Sequence, residues 1–121
     1  MRLKHSFTIP LVPPSGNHYK IPVWNQRRFY VTKEAMAFKE AVALFSKRQL
    51  VGDKDSTYDV DVTFYLGKKQ RLDWDNSLKV LMDGLEDAGV IHSDAAIMQG
   101  TVRKRRDWEN PRTEVIVRAL P

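Results

Sequence analysis

The stretch Tyr58–Leu66, YDVDVTFYL, narrows the fold more than any other segment. Val60, Val62, Phe64 and Leu66 fall on one side and Asp59, Asp61, Thr63 and Tyr65 on the other, the two-residue period of a strand buried on one face. Such a strand needs sheet neighbours and a layer to cover its apolar side. A chain of 121 residues can bury one core of that kind and is short for two, so residues 1–121 are expected to form a single domain. With 42% hydrophobic and 29% charged residues, the composition is that of a folded chain rather than a disordered one.

The flanking segments supply the rest of the sheet and its cover. His5–Val12 alternates Phe7, Ile9 and Leu11 with smaller or polar residues and predicts a strand. PPSGNHYKIP then has the residues of an irregular loop, and RRFYVT can form a short strand. Thr32 is placed to cap a helix through KEAMAFKEAVALFSKRQL, with Ala35, Phe38, Val42 and Phe45 as its apolar face and Lys47 and Arg48 near its negative end. A second helix is expected from about Asp75 or Asn76, with Leu78, Leu81, Met82 and Leu85 on one face and Gly89 as its C-terminal cap. IMQGTVRKRRDW and TEVIVRAL predict two strands joined by a turn through Glu109, Asn110 and Pro111. The expected class is α+β, a small single domain with a mixed sheet of about four to five strands and two main helices packed on it.

Several chemistries are excluded at once. The chain has no cysteine, which removes disulfides, thiolate metal sites and cysteine nucleophiles and leaves oxygen or histidine to hold any metal. No apolar run is long enough to span a bilayer and the first residues lack a signal-peptide pattern, so a cytoplasmic protein is expected, associated with the nucleoid when bound to DNA. The formal net charge of +5 and pI near 9.6 suit a polyanionic partner, and suit a merely soluble basic protein as well.

Against that charge, RLDWDNSLKVLMDGLEDAG (residues 71–89) gathers Asp73, Asp75 and Asp83 beside Asn76 and Lys79. Two explanations are open. Asp75 or Asn76 can cap the helix, accepting a bond from an unpaired N–H and complementing the dipole, which leaves Asp73 without a purpose. Alternatively, two close aspartates are the core of a Mg²⁺ site, since this ion takes one or two carboxylates and completes its shell with water and phosphate oxygens. Asp75, Lys79 and Asp83 recur every four residues, a stripe that serves equally as a surface ion-pair ladder or as a lysine aimed at a phosphate.

DWDNSLKVLMDGL resembles the Asp-x-Asp-Asn-x-x-Lys-x-x-x-Asp-x-Leu signature of the RusA family of Holliday-junction resolvases. SDAAI, residues 93–97, stands where that family carries Asp-Asp-x-Gln-Val, and PPSGNHYK is similar to its Pro-Pro-Ser-x-Asn-x-x-Tyr. Order, spacing and length agree across nearly the whole chain. The resemblance implies a homodimeric, Mg²⁺-dependent endodeoxyribonuclease, with Mn²⁺ able to substitute, that resolves four-way DNA junctions by paired symmetric nicks in recombination and repair. It implies that Asp73, Asp75 and Asp94 hold the metal and that Lys79 assists catalysis. Ser93 departs from the family's first Asp and Ala96 from its Gln, so Asp94 carries the downstream motif alone.

A phosphate-tracking surface is expected from Arg27 and Arg28, from Lys68, Lys69 and Arg71, and from Arg103, Lys104, Arg105 and Arg106, provided these segments share a face. Asn17, His18 and Tyr19 either touch DNA or fix their own loop, and His92 is either a metal ligand or general base or an ordinary loop residue. Trp74 packs on the sheet or faces DNA, whereas Trp24 and Trp108 are expected to be structural. A non-catalytic branched-DNA or RNA-binding module, its acid serving as cap and ladder, is the competing reading.

Overall fold

A computed structural model of the chain describes residues 1–14, 20–23, 28–72 and 74–121, and of 20–23, 28–31 and 74–76 the backbone alone. The elements in chain order are β1 (Lys4–Ile9), β2 (Lys20–Val23), β3 (Arg28–Val31), α1 (Lys33–Ser46), β4 (Tyr58–Leu66), α2 (Trp74–Asp87), a 3₁₀ turn (Asp94–Ala96), β5 (Ile97–Arg106) and β6 (Arg112–Ala119). Four strands form one mixed sheet in the order β1-β6-β4-β5, and β2 and β3 pair as a separate two-stranded ribbon. The class is therefore α+β with two main helices. Among the described residues no helix is long and apolar enough to cross a membrane.

β4 is interior to the sheet, antiparallel to β6 and parallel to β5. Its inner residues Tyr58, Val60, Val62, Phe64 and Leu66 are all buried, as the alternation predicts. The two strands following α2 do not form a hairpin with each other, because β4 lies between them. Charge explains the placement. The inner-face positions of β5 opposite Phe64 and Leu66 are Lys104 and Arg106, and such a strand is tolerated at an edge, not in the middle. Gly100 is required beside β4, since a Cβ there would stand 2.6 Å from the Val60 carbonyl oxygen. The link from β5 to β6 is held by Arg112, which donates to Asp107 and Glu114 at 2.8 Å each and stacks 3.8 Å from the Tyr65 ring centroid.

α1 begins with the Thr32 hydroxyl accepting from the Ala35 N–H, as expected. Its buried face is Ala35, Phe38, Val42 and Ser46, whereas Phe45 is 41% exposed, contrary to the sequence expectation. One helical step separates the two, and Ser46 takes the inner place because His5 Nε2 donates to its carbonyl at 2.7 Å, tying β1 to the helix end. Lys47 and Arg48 lie just past the helix in left-handed conformation, with φ of 58° and 52°. α1 and α2 sit side by side on one face of the sheet, joined at their edge by Lys39 and Asp87 at 3.0 Å.

Two polar contacts fix the segments around the sheet. The buried Tyr58 hydroxyl donates to the Val51 carbonyl at 2.8 Å and accepts from the His92 N–H at 3.4 Å, bridging the loops on either side of β4's start. Replacing Tyr58 with Phe should lower the unfolding free energy by about 1–3 kcal/mol in urea titrations, the cost of leaving a buried carbonyl without its donor. On the open face, Arg118 donates to Asp61 at 2.6 Å, and this bond holds the Asp61 carboxyl below its ordinary value of 3.8. A carboxyl lowered on folding adds stability above its unfolded pKa and loses that contribution as pH falls through the folded one. Asp61→Asn should therefore be less stable than wild type near pH 7, and the gap in melting temperature should close as the pH is taken below about 4.

Candidate functional site

The chain between β4 and β5 supplies the acid. α2 runs unbroken from Trp74 to Asp87, so Asp75, Lys79 and Asp83 form one stripe at one-turn intervals. Leu81 and Leu85 are buried beneath it, while Leu78 and Met82 are half-buried. They are half-buried because they line an open cleft of about 510 Å³ between α2 and the sheet edge, floored by Val60, Val62, Gly100 and Val102. Lys79, Asp83 and Asp94 stand on that same cleft. Asp94 thus lies against the helix that carries the signature, although it stands eleven positions after Asp83 in the sequence.

Local chemistry explains how the chain returns Asp94 to the helix. α2 ends in two bonds of the Schellman kind, Val90 N–H to the Leu85 carbonyl at 2.9 Å and Gly89 N–H to the Glu86 carbonyl at 3.0 Å. Gly89, with φ of 77°, takes the left-handed position, and Val90 and Leu85 are both buried. Ser93 then caps the 3₁₀ turn, its hydroxyl accepting from the Ala95 N–H at 3.2 Å. That is the role an Asp would fill at the same place, so the serine keeps the turn and gives up only the charge. Ala96, the other departure, is buried against the core. Glu86, one turn after Asp83, accepts the Asp94 N–H through Oε1 at 3.0 Å. Sequence reasoning passed over Glu86, although its position on the Lys79 and Asp83 face was a usable signal.

The other candidates are distributed as follows. Asn17, His18, Tyr19, Trp24, Arg27 and Asp73 lie outside the described residues, as do the side chains of Arg28, Trp74, Asp75 and Asn76. His92 donates through Nε2 to the Ser56 carbonyl at 2.7 Å and its ring leans on Tyr58, with centroids 5.5 Å apart. Lys68 stands over the Trp108 ring, 5.6 Å from its centroid, and Trp108 is 65% exposed rather than part of the core. The hydrophobic layer is already filled from β4, β6 and the helices, which leaves the ring for the cation. Arg71, Lys104, Arg105 and Arg106 line one depression of about 580 Å³, so two of the three basic segments share a surface.

The four cations of β5 divide by their place in the register. In register, Arg103 lies opposite Thr63 and Arg105 opposite Tyr65, on the open face of the sheet, and both are exposed. Arg106 donates to the carbonyls of Gly67 at 2.9 Å and Gln70 at 2.8 Å, and Lys104 donates to the Leu72 carbonyl. The loop they hold is a tight turn closed by Gln70 N–H to the Gly67 carbonyl at 3.2 Å, with Lys69 at φ 67°.

The donor chemistry suits a hard divalent cation. Asp83, Glu86 and Asp94 offer carboxylate oxygens on one side of α2, and the signature adds Asp73 and Asp75 at its start. Among the described residues no three metal-capable side chains converge.

Comparison with known proteins agrees with the motifs. The family model described as Endodeoxyribonuclease RusA matches residues 10–118, from the end of β1 into β6. A curated relative, crossover junction endodeoxyribonuclease RusA of Aquifex aeolicus (strain VF5), is 36% identical over 112 residues, covering 84% of this chain and 86% of that protein.

The Glu86 anchor yields a local prediction. Glu86→Ala should speed hydrogen exchange of the Asp94 amide about tenfold while leaving the melting temperature nearly unchanged, because the bond is exposed and restrains one turn rather than the core. Glu86→Gln, which keeps an acceptor oxygen, should exchange close to wild type.

Proposed function

The chain belongs to the RusA family of endodeoxyribonucleases, and from that footing we propose that it resolves four-way DNA junctions by paired symmetric nicks, as a Mg²⁺-dependent phosphodiester hydrolase. The observation that carries this reading is the meeting of Lys79 and Asp94 on one cleft at the foot of β5, the strand whose other half carries Arg103–Arg106. Acid that would repel DNA thus stands at one end of a strand whose other end carries cations that attract it.

Asp73 and Asp75 at the start of α2 would hold Mg²⁺, with Mn²⁺ able to substitute, and the resemblance adds Asp94, which lies against Glu86 toward the other end of the helix; the ion would supply positive charge at the scissile phosphate and favour deprotonation of the attacking water. Lys79 is exposed at the rim of the cleft, where its ammonium can donate to a non-bridging phosphate oxygen and offset charge as the transition state develops. Arg71 and Arg105, on the shared basic depression, can track the backbone of a duplex arm without reading its sequence. A junction has near two-fold symmetry and needs two opposed cuts. A C₂ homodimer with one site per subunit matches it, since an isologous pair repeats the site across the same symmetry.

The test is cleavage of a labelled four-way junction in Mg²⁺, with and without EDTA. Wild type should give paired nicks that EDTA abolishes, and Asp75→Asn and Asp94→Asn should bind the junction without cutting it. Lys79→Met should lower the single-turnover rate by about 10²–10³, the usual effect of removing one donor to developing charge, with junction affinity kept within a few fold. Tight junction binding by wild type without metal-dependent cleavage would instead establish the non-catalytic binding module.

A further inference from the structure

β4 and β5 run parallel and end level, with Leu66 opposite Arg106. Two residues past that point the first strand leads to Lys68 and the second to Trp108, and the Lys68 ammonium stands 5.6 Å from the centroid of the Trp108 ring. Trp108 is 65% exposed, on the short turn between β5 and β6. Main-chain and arginine contacts brace that turn. The Asp107 N–H donates to the Leu66 carbonyl at 2.9 Å and the Asn110 N–H to the Asp107 carbonyl at 3.3 Å. Arg112 Nη1 donates to the Asp107 carboxylate at 2.8 Å and to the Asn110 carbonyl at 3.0 Å. The ring is therefore displayed from a fixed backbone, although the core has no use for it.

The surroundings indicate what the ring meets. Leu66, whose carbonyl holds the turn, also lines the basic depression with Arg71 and Arg105. An aromatic surface at the edge of a cationic groove suits nucleic acid with an unstacked base, the cations taking phosphates and the ring taking the base. Glu109, exposed beside Trp108, would repel a phosphate at that place and is tolerated by an uncharged base. We propose that Trp108 is a base-stacking residue, which receives an unstacked base at the branch point of a four-way junction while Arg71 and Arg105 hold the adjoining backbone. The inference rests on the junction reading above and adds to it a contact with a base. In a duplex arm every base is stacked on both faces, so removing one costs both pairing and stacking. At a branch point the stack is interrupted and the cost is smaller. Trp108 thereby separates junction from duplex, a distinction that phosphate contacts alone do not make.

The experiment compares Trp108→Ala, Trp108→Phe and Arg105→Ala with wild type in the full chain. Affinities for a four-way junction and for a linear duplex of the same arm sequence are measured in EDTA across a salt series. Trp108→Ala should weaken junction binding about tenfold, with duplex affinity within about twofold of wild type and the salt slope unchanged. Trp108→Phe, which keeps a ring, should recover most of the junction affinity. Arg105→Ala should weaken junction and duplex together and lower the salt slope by about one. In a second measurement, wild type is irradiated on junctions carrying 5-iodouracil at the branch point or in mid-arm, and the cross-linked residue is read by mass spectrometry. The branch-point base should cross-link to Trp108 and the mid-arm base should not. The inference is overturned if Trp108→Ala keeps wild-type junction affinity, if it weakens junction and duplex alike, or if the branch-point cross-link falls elsewhere. Circular dichroism checks each fold, and the cross-link on wild type carries the test if Trp108→Ala unfolds. Wild type that binds the junction no more tightly than the duplex overturns the junction reading itself, a result separate from the loss of contrast among variants.

Discussion

The parallel pairing of β4 with β5 is the constraint from which the site follows. Two antiparallel strands can be joined by a turn of two residues, but two parallel neighbours need a connection that travels back along the sheet, which a helix usually provides. Here that connection holds α2, the turn at Ser93 and Asp94, and the aspartates of the signature. The geometry that lets the core be covered is thus the same geometry that brings Asp94 onto the cleft that Lys79 lines. Gly100 marks how closely the two strands approach, since any side chain at that point would meet the carbonyl of Val60.

Much of the fold could be read directly from the residues. The alternation of Tyr58–Leu66, the cap at Thr32 and the left-handed Gly89 are local signals, and each of them appears in the structure where the pattern puts it. Partner choice was not legible in the same way. Glu109, Asn110 and Pro111 look like a hairpin turn, yet the strands they join are separated by β4, because pairing depends on which strand can tolerate both sheet neighbours. Phe45 and Trp108 mislead for a related reason. A helical period fixes which residues share a face only to within one step, and an aromatic ring can serve a cation as readily as a core.

For the site, the acid stripe and its lysine were visible from spacing alone, whereas Glu86 and the inward pair of β5 cations were not. Each acts on a backbone atom, the Asp94 N–H or the carbonyls of the 67–72 loop, and main-chain partners leave no trace in residue type. A basic run is naturally read as one surface. Register divides it, and that division is a tertiary fact.

The pairing of β1 with β6 has a consequence for how the protein comes into being. His5 lies opposite Val117, so β1 finds its sheet neighbour in a strand made more than a hundred residues later. At elongation rates of about 5–20 residues per second, β1 waits roughly 5–20 s for it. During that interval the acidic segment has been synthesised while the sheet that organises it has not closed. A chain still growing on the ribosome therefore carries the acidic segment without its frame, and the cleft takes shape only once β6 has been made.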